Sequence, residues 1–223
     1  MTNLNRLSIN ALAALGIAVS GASVAEACTR IVYKGQDNLV VTGRSMDFKD
    51  DIPANLWALP RGMERNGQVG PSSVTWKSKY GSVVAESFGI ATTDGVNEKG
   101  LAANMLWLVP TKYPEFDGTQ RALAVSVWLQ YVLDNFANVK EVVEALSREE
   151  FFVVSSVIPG TDKFVTVHLS VSDSSGDNAI FEYVDGRLVV HHSPDYTVMT
   201  NEPVFEDQLA ISRYWASVDG TAM

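Results

Sequence analysis

The sequence predicts an α+β fold, and three observations carry that class. Residues 164 to 191 alternate apolar and polar side chains with period two, interrupted by Gly-containing turns, as an antiparallel meander does. Two short β-branched runs, Thr29 to Tyr33 and Asn38 to Thr42, flank a turn with Gly35 and Asp37 and predict a hairpin. Between these strand regions, residues 119 to 146 carry apolar residues at helical spacing, which suits helices laid on a sheet.

Taken in order, the hairpin is followed by a mixed segment, Asp50 to Gly70. Asn55 to Leu59 there has strand character, but Pro53, Pro60, Gly62 and Gly67 break the segment into loop. Ser82 to Thr93 reads as one long strand, Asp94-Gly95 and Glu98-Lys99-Gly100 as turns, and Leu101 to Val109 as the returning strand. A helix is expected over Thr119 to Phe136, with Leu123, Val127, Val132 and Phe136 inward. A second begins at Asn138, where Glu141 three residues on is close to a capping box and Val139, Val142, Val143 and Leu146 form the apolar stripe. The meander has Val165, Val167, Leu169 and Val171 on one face, then Ala179 to Val184 and Leu188 to His191. A last strand, Tyr196 to Thr200, ends at Asn201.

Residues 1 to 27 read as a secretory signal: Arg6 in a polar leading region, an apolar run from Ala11 to Val19, and an Ala-x-Ala pattern at Ala25 and Ala27. Cleavage there leaves 196 residues, 28 to 223, a length that suits one domain. The signal holds one basic and one acidic residue, so the mature net charge stays at −9. That balance argues against nucleic-acid binding, which needs concentrated positive charge. No apolar stretch after Cys28 is long enough to span a membrane, so the expectation is a periplasmic or secreted protein.

Cleavage makes Cys28 the first mature residue, and it is the sole cysteine, so no internal disulfide is open to it. An N-terminal cysteine carries a nucleophile and a base together, because a free α-amino group of pKa about 7.7–8.0 can take the thiol proton. The alternatives are a chance cysteine or the lipidated cysteine of a lipoprotein, which Glu26-Ala27 fits poorly. The hairpin would return Arg44 and Asp47 to the neighbourhood of Cys28, where a carboxylate can hold the ammonium or thiol and a guanidinium can favour the thiolate. A surface ion pair is the plainer reading of Arg-x-x-Asp. His168, His191 and His192 have no convincing metal-ligand spacing.

Cys28-Thr29, Gly43-Arg44-Ser45-Met46-Asp47, Val96-Asn97-Glu98-Lys99-Gly100-Leu101 and Met199-Thr200-Asn201-Glu202-Pro203 stand in an order that resembles the choloylglycine hydrolase family. That family, of bile salt hydrolases and penicillin V acylases, falls within the N-terminal nucleophile hydrolases. The resemblance implies a four-layer αββα sandwich with Cys28 as nucleophile, Arg44 and Asp47 beside it and Asn201 as oxyanion donor. It implies a small-molecule linear amide as substrate and no metal or organic cofactor. Trp107 stands where many bile salt hydrolases have asparagine and resembles the Gram-negative penicillin V acylases. As a substrate-binding residue it points to penicillin V or N-acyl-homoserine lactones rather than bile salts.

Relatives in that family run further and carry an arginine in a Ser/Ala-x-Arg-Phe segment that this sequence lacks. Arg213, in Ile211-Ser212-Arg213-Tyr214-Trp215, belongs to a different motif. Residues 28 to 223 are therefore expected to form a partial domain. The rivals are an inactive acyl-binding pseudo-enzyme and a bile salt hydrolase, and the oligomeric state, a homo-oligomer included, is left open.

Overall fold

The structure, a computed structural model, describes residues 27–47, 52–89, 91–158 and 160–218. All of the expected signal but Ala27 lies outside them. Strand β1 (Thr29–Lys34) and strand β2 (Val40–Ser45) form the expected hairpin, paired from Thr29 with Ser45 to Lys34 with Val40. Asp37 and Asn38 turn the chain at φ of 57° and 59°, a region that Asp and Asn tolerate better than most side chains. The second strand therefore begins later than Asn38 and runs on through Gly43, Arg44 and Ser45.

The segment expected as loop contains β3 (Ala54–Leu59) and β4 (Glu64–Asn66), and β5 (Thr75–Lys77) follows. Pro53 and Pro60 bracket β3 instead of breaking it, and β3 is an edge strand, where proline is tolerated. The expected long strand is a hairpin, β6 (Ser82–Ser87) and β7 (Ala91–Asn97), turning at Phe88 and Gly89 with φ of 59° and 70°. Asp94-Gly95 is thus strand, not turn. A Cβ on Gly95 would sit 2.7 Å from both Leu133 and Val84, so glycine is there for close approach.

Strand β8 (Ala102–Trp107) returns as expected. The single helix expected over 119–136 is instead β9 (Ala122–Ala124), a 3-10 turn (Val125–Val127) and helix α1 (Trp128–Asn135). Tertiary pairing overrides helical spacing: β9 lies parallel to β10 (Phe152–Val154), and Ala122 N–H donates to Ser72 O. Helix α2 (Val139–Leu146) precedes β10 and has the expected cap. The Asn138 side chain accepts from Glu141 N–H, and Glu141 reaches back to Ala137 N–H. The meander is β11 (Val167–Ser172), β12 (Asn178–Val184) and β13 (Arg187–His192), followed by β14 (Val198–Thr200) and helix α3 (Phe205–Ser217).

Among the described residues, β13-β12-β11-β8-β7-β6-β3 form a seven-stranded antiparallel sheet and β14-β1-β2 a second, three-stranded one. Alternation along each strand gives the large sheet two faces. On one, Ala103, Val167, Leu169, Val171 and Phe181 pack on Trp128, Leu129, Val132, Leu133, Val139 and Val142 of α1 and α2. The other, carrying Asn104, His168, Ser170, Ser172, Asn178 and Glu182, is buried beneath the small sheet. Three of the four expected layers are thus visible. The outward face of the small sheet exposes Ile31, Tyr33, Val41 and Val198, and α3 buries only Phe205.

Candidate active site

Cys28 stands immediately before β1 and is buried, in a small cluster with Leu106, Ile180, Met199 and Phe205. Its Sγ donates to the backbone carbonyl of Asp47 at 3.7 Å. Ser45 Oγ accepts from Thr29 N–H at 3.2 Å and donates to Asp47 Oδ2 at 3.4 Å, so the hairpin brings Asp47 to the nucleophile end as expected.

Arg44 and Asp47 do not pair with each other in this arrangement. The Arg44 guanidinium crosses to the large sheet, where Nη1 lies 3.3 Å from Asp94 Oδ2 and Nη2 donates to Met105 O at 2.8 Å. Asp94 Oδ1 in turn accepts from Asn104 Nδ2 at 2.9 Å. Asp94 is a site residue that the sequence reading placed in a turn. The available signal was an acidic residue inside an otherwise β-branched and small strand.

Asn201 follows β14, which pairs with β1 through Thr29 and Thr200. Extending that register by one residue sets Asn201 beside Cys28. Its Oδ1 is buried with no hydrogen-bond partner among the described residues. Gln208 of α3 holds this turn, accepting from Thr200 N–H and donating to Thr200 O and Pro203 O. The other motif asparagine is scaffold: Asn97 Nδ2 donates to Leu133 O and Phe136 O, tying the β7–β8 turn to the end of α1.

A cavity of about 120 Å³ opens beside Cys28 where the large sheet splits. Strands β7 and β8 pair only from Val96–Ala102 to Asp94–Asn104, and beyond that point they part. Ala91 and Thr93 of β7 and Met105 and Trp107 of β8 then line it, together with Val125, Ser126 and Arg44. Trp107, half-buried, also packs on the large core. Leu108 N–H donates to Thr166 O, so even-numbered residues of β8 bond toward β11. Odd-numbered ones turn their backbone groups toward the split, as the Arg44 bond to Met105 O shows. Trp107 N–H therefore faces the cleft.

His168 Nδ1 and Glu182 Oε1 are 2.8 Å apart, His191 Nε2 lies 3.4 Å from Oε2, and the same carboxylate accepts from Phe205 N–H at the start of α3. Burial pushes the Glu182 carboxyl up, but the hydrogen bonds from His168, His191 and Phe205 outweigh it and hold it at about 2. These histidines anchor a helix. No group of three or more metal-ligating side chains occurs among the described residues, and no described helix is long and apolar enough to cross a membrane.

The described residues thus set a buried cysteine at the start of a strand, beneath a sheet-on-sheet scaffold and beside an apolar cleft. The model of linear amide C-N hydrolases, choloylglycine hydrolase family, matches residues 28–222, and the chain belongs to this family. It is 50% identical over 212 residues to the penicillin V acylase of Pectobacterium atrosepticum, covering 91% of this chain and 56% of that one. It is 29% identical over 190 residues to the bile salt hydrolase/transferase of Clostridium perfringens, covering 82% and 56%.

Among solved structures, penicillin V acylase from Agrobacterium tumefaciens superimposes with a TM-score of 0.81 at 54% identity, covering 88% of this chain and 59% of that one. A mutant conjugated bile acid hydrolase from Clostridium perfringens gives 0.72 at 27%, covering 86% and 58%. The chain thus spans a little over half the length of these relatives.

Proposed function

We propose that the chain, once residues 1–27 are removed on export to the periplasm or medium, is a hydrolase of linear amides with Cys28 as its N-terminal nucleophile. The observation that carries the reading is the apolar cleft in the split sheet, which brings Cys28, Arg44 and Trp107 to one cavity. The family match opens on Cys28, which supports cleavage before it.

In this reading the α-amino group of Cys28 takes the thiol proton and Sγ attacks the amide carbonyl carbon. The oxyanion is met by the Asn201 side-chain amide and Trp107 N–H. The ammonium then protonates the leaving nitrogen, the C–N bond breaks and a thioester is left on Cys28. Water, deprotonated by the same amine, attacks the thioester and releases the carboxylic acid and the thiol. The Asp47 carboxylate, fixed by Ser45, holds the ammonium, and Arg44, anchored by Asp94 and Met105 O, keeps a guanidinium in the cleft lining beside Cys28.

The mostly apolar lining, with Met105, Trp107, Val125 and Val167 in it, supports a flat or aliphatic acyl group, as in penicillin V or an N-acyl-homoserine lactone. The test is turnover of penicillin V and of long-chain N-acyl-homoserine lactones by the mature chain, with the mass of its N-terminus determined in parallel. Release of free acid by a chain beginning at Cys28 is expected. A diacylglycerol adduct on Cys28, or binding without release, would establish the lipoprotein or the acyl-binding alternative instead.

A further inference from the structure

Arg30 is a fully buried guanidinium two residues from the nucleophile, with Cys28, Arg30 and Val32 sharing the inward face of β1. Its acceptors are all neutral: Tyr196 O at 3.0 Å, Asn178 Oδ1 at 2.6 Å and Val171 O at 3.4 Å. Asn178 is itself oriented for this, because its Nδ2 donates to Gly176 O and Pro194 O and so turns Oδ1 to the arginine. The acids that share the space between the sheets are engaged elsewhere, Asp94 with Arg44 and Glu182 with His168 and His191. Burial lowers the arginine to about 10, so it is still charged at neutral pH.

A buried cation without a counter-charge is costly, and removing such a cost by a neutral residue is open to any sequence. The three acceptors belong to three different pieces: β11, the first residue of β12, and the turn that leads into β14. One side chain therefore ties the strand that follows Cys28, and the turn into the strand that precedes Asn201, to the large sheet that forms the cleft.

We infer that Arg30 is a positioning residue of the hydrolytic site, clamping the Cys28 and Asn201 strands onto the cleft-forming sheet while keeping the space beneath them positive. It acts through Cys28 and Asn201 and does not itself touch the substrate. The inference rests on the hydrolase reading for its turnover consequences, but its effect on the thiol is measurable without any substrate. A positive interior favours both the anionic sulfur and the oxyanion, and a fixed separation of nucleophile and donor governs the chemical step more than binding.

The experiment compares the full mature chain with Arg30→Met, Arg30→Lys and Asn178→Asp. Each is read by melting temperature, by the rate of Cys28 alkylation with iodoacetamide, and by kcat and KM on penicillin V. Arg30→Met should slow alkylation and lower kcat by about tenfold or more with KM changed less than about twofold. Arg30→Lys, which keeps the charge but not the fork, should recover the alkylation rate and only part of kcat.

Asn178→Asp sets a carboxylate against the guanidinium and cancels its charge in a folded protein, so it should slow alkylation as well; it carries the test if Arg30→Met does not fold. Folded Arg30→Met and Asn178→Asp proteins that alkylate and turn over like the parent would overturn the inference. A parent that alkylates but hydrolyses no amide defeats the hydrolase reading, and the alkylation comparison then still decides the role of Arg30.

Discussion

The two faces of the seven-stranded sheet bury their residues equally well and do so by opposite chemistry. Toward α1 and α2 the centre of the sheet is dry: Leu169, Val171 and Phe181 pack among Leu129, Val132 and Leu133, and the polar bonds lie to the side, where Gln130 meets Ser82 and Thr92 and Asn97 meets the end of α1. Toward the small sheet the same strands present His168, Ser170, Ser172, Asn178 and Glu182, joined by specific bonds such as Thr42 Oγ1 to Ser172 Oγ at 2.7 Å, beside the small apolar cluster that holds Cys28. The first face is tolerant of how it is filled and supplies stability through apolar area. The second gives each partner one orientation, and it is there that Cys28, Arg44 and Asn201 are held. A site needs fixed direction more than it needs burial energy.

Substitutions on the two faces should therefore separate activity from stability. The largest effect is expected at Cys28: Cys28→Ser should bring amide hydrolysis to near background with an unchanged melting temperature, because a hydroxyl ionises far less than a thiol. Equal turnover by the serine form would remove the nucleophile from this face.

On the dry face, Leu169→Ala should cost about 2–5 kcal/mol of unfolding free energy, measured by denaturant titration, with kcat unchanged in whatever fraction is folded. A loss of kcat larger than the loss of folded protein would mean that the two faces are not independent.

Glu182 gives the polar face a pH signature. Its folded value of about 2 lies below the ordinary 4.5, so its network stabilises the native state above about pH 4.5 and that contribution is lost as pH falls toward 2. The size is a few kcal/mol, taking about 1.4 kcal/mol per pH unit. Acid titration of stability should show this loss in the parent, and Glu182→Gln should flatten it over the same interval. An unaltered acid limb in the glutamine variant would assign the loss to other carboxylates.

The smallest effect is expected at Trp107, which belongs to both the core and the cleft. Trp107→Ala should lower kcat/KM for phenoxyacetyl or long acyl substrates by about 1–3 kcal/mol relative to short ones. A lowered melting temperature with the same substrate ranking would make it a core residue alone.

Much of the scaffold was legible because its signals are local. The hairpin turn with Gly35 and Asp37, the Asn138 cap with Glu141 and the meander from Val167 to His192 each rest on neighbours within a few residues. The misreadings share one cause. Leu123 and Val127 have helical spacing, yet β9 is drawn out by pairing with β10, and Gly95 looks like a turn because close packing against Leu133 leaves no mark in the neighbouring sequence. Helix α3 was missed because its apolar pattern is weak, although Glu206 and Asp207 in its first turn follow Pro203 as a helix start does.

Of the site, the order of residues is enough to supply the side chains: one cysteine behind an Ala-x-Ala pattern, an Arg-x-x-Asp at the far end of a hairpin, and an asparagine ending a strand. Which of them meet follows from packing. It turned Arg44 away from Asp47 to Asp94, parted β7 from β8 to open the cleft, and buried Arg30 against neutral acceptors. The reason is physical: local pattern records the period of a strand or helix, whereas a partner across two sheets depends on register and on which face is turned inward, and those are set by the whole packed core.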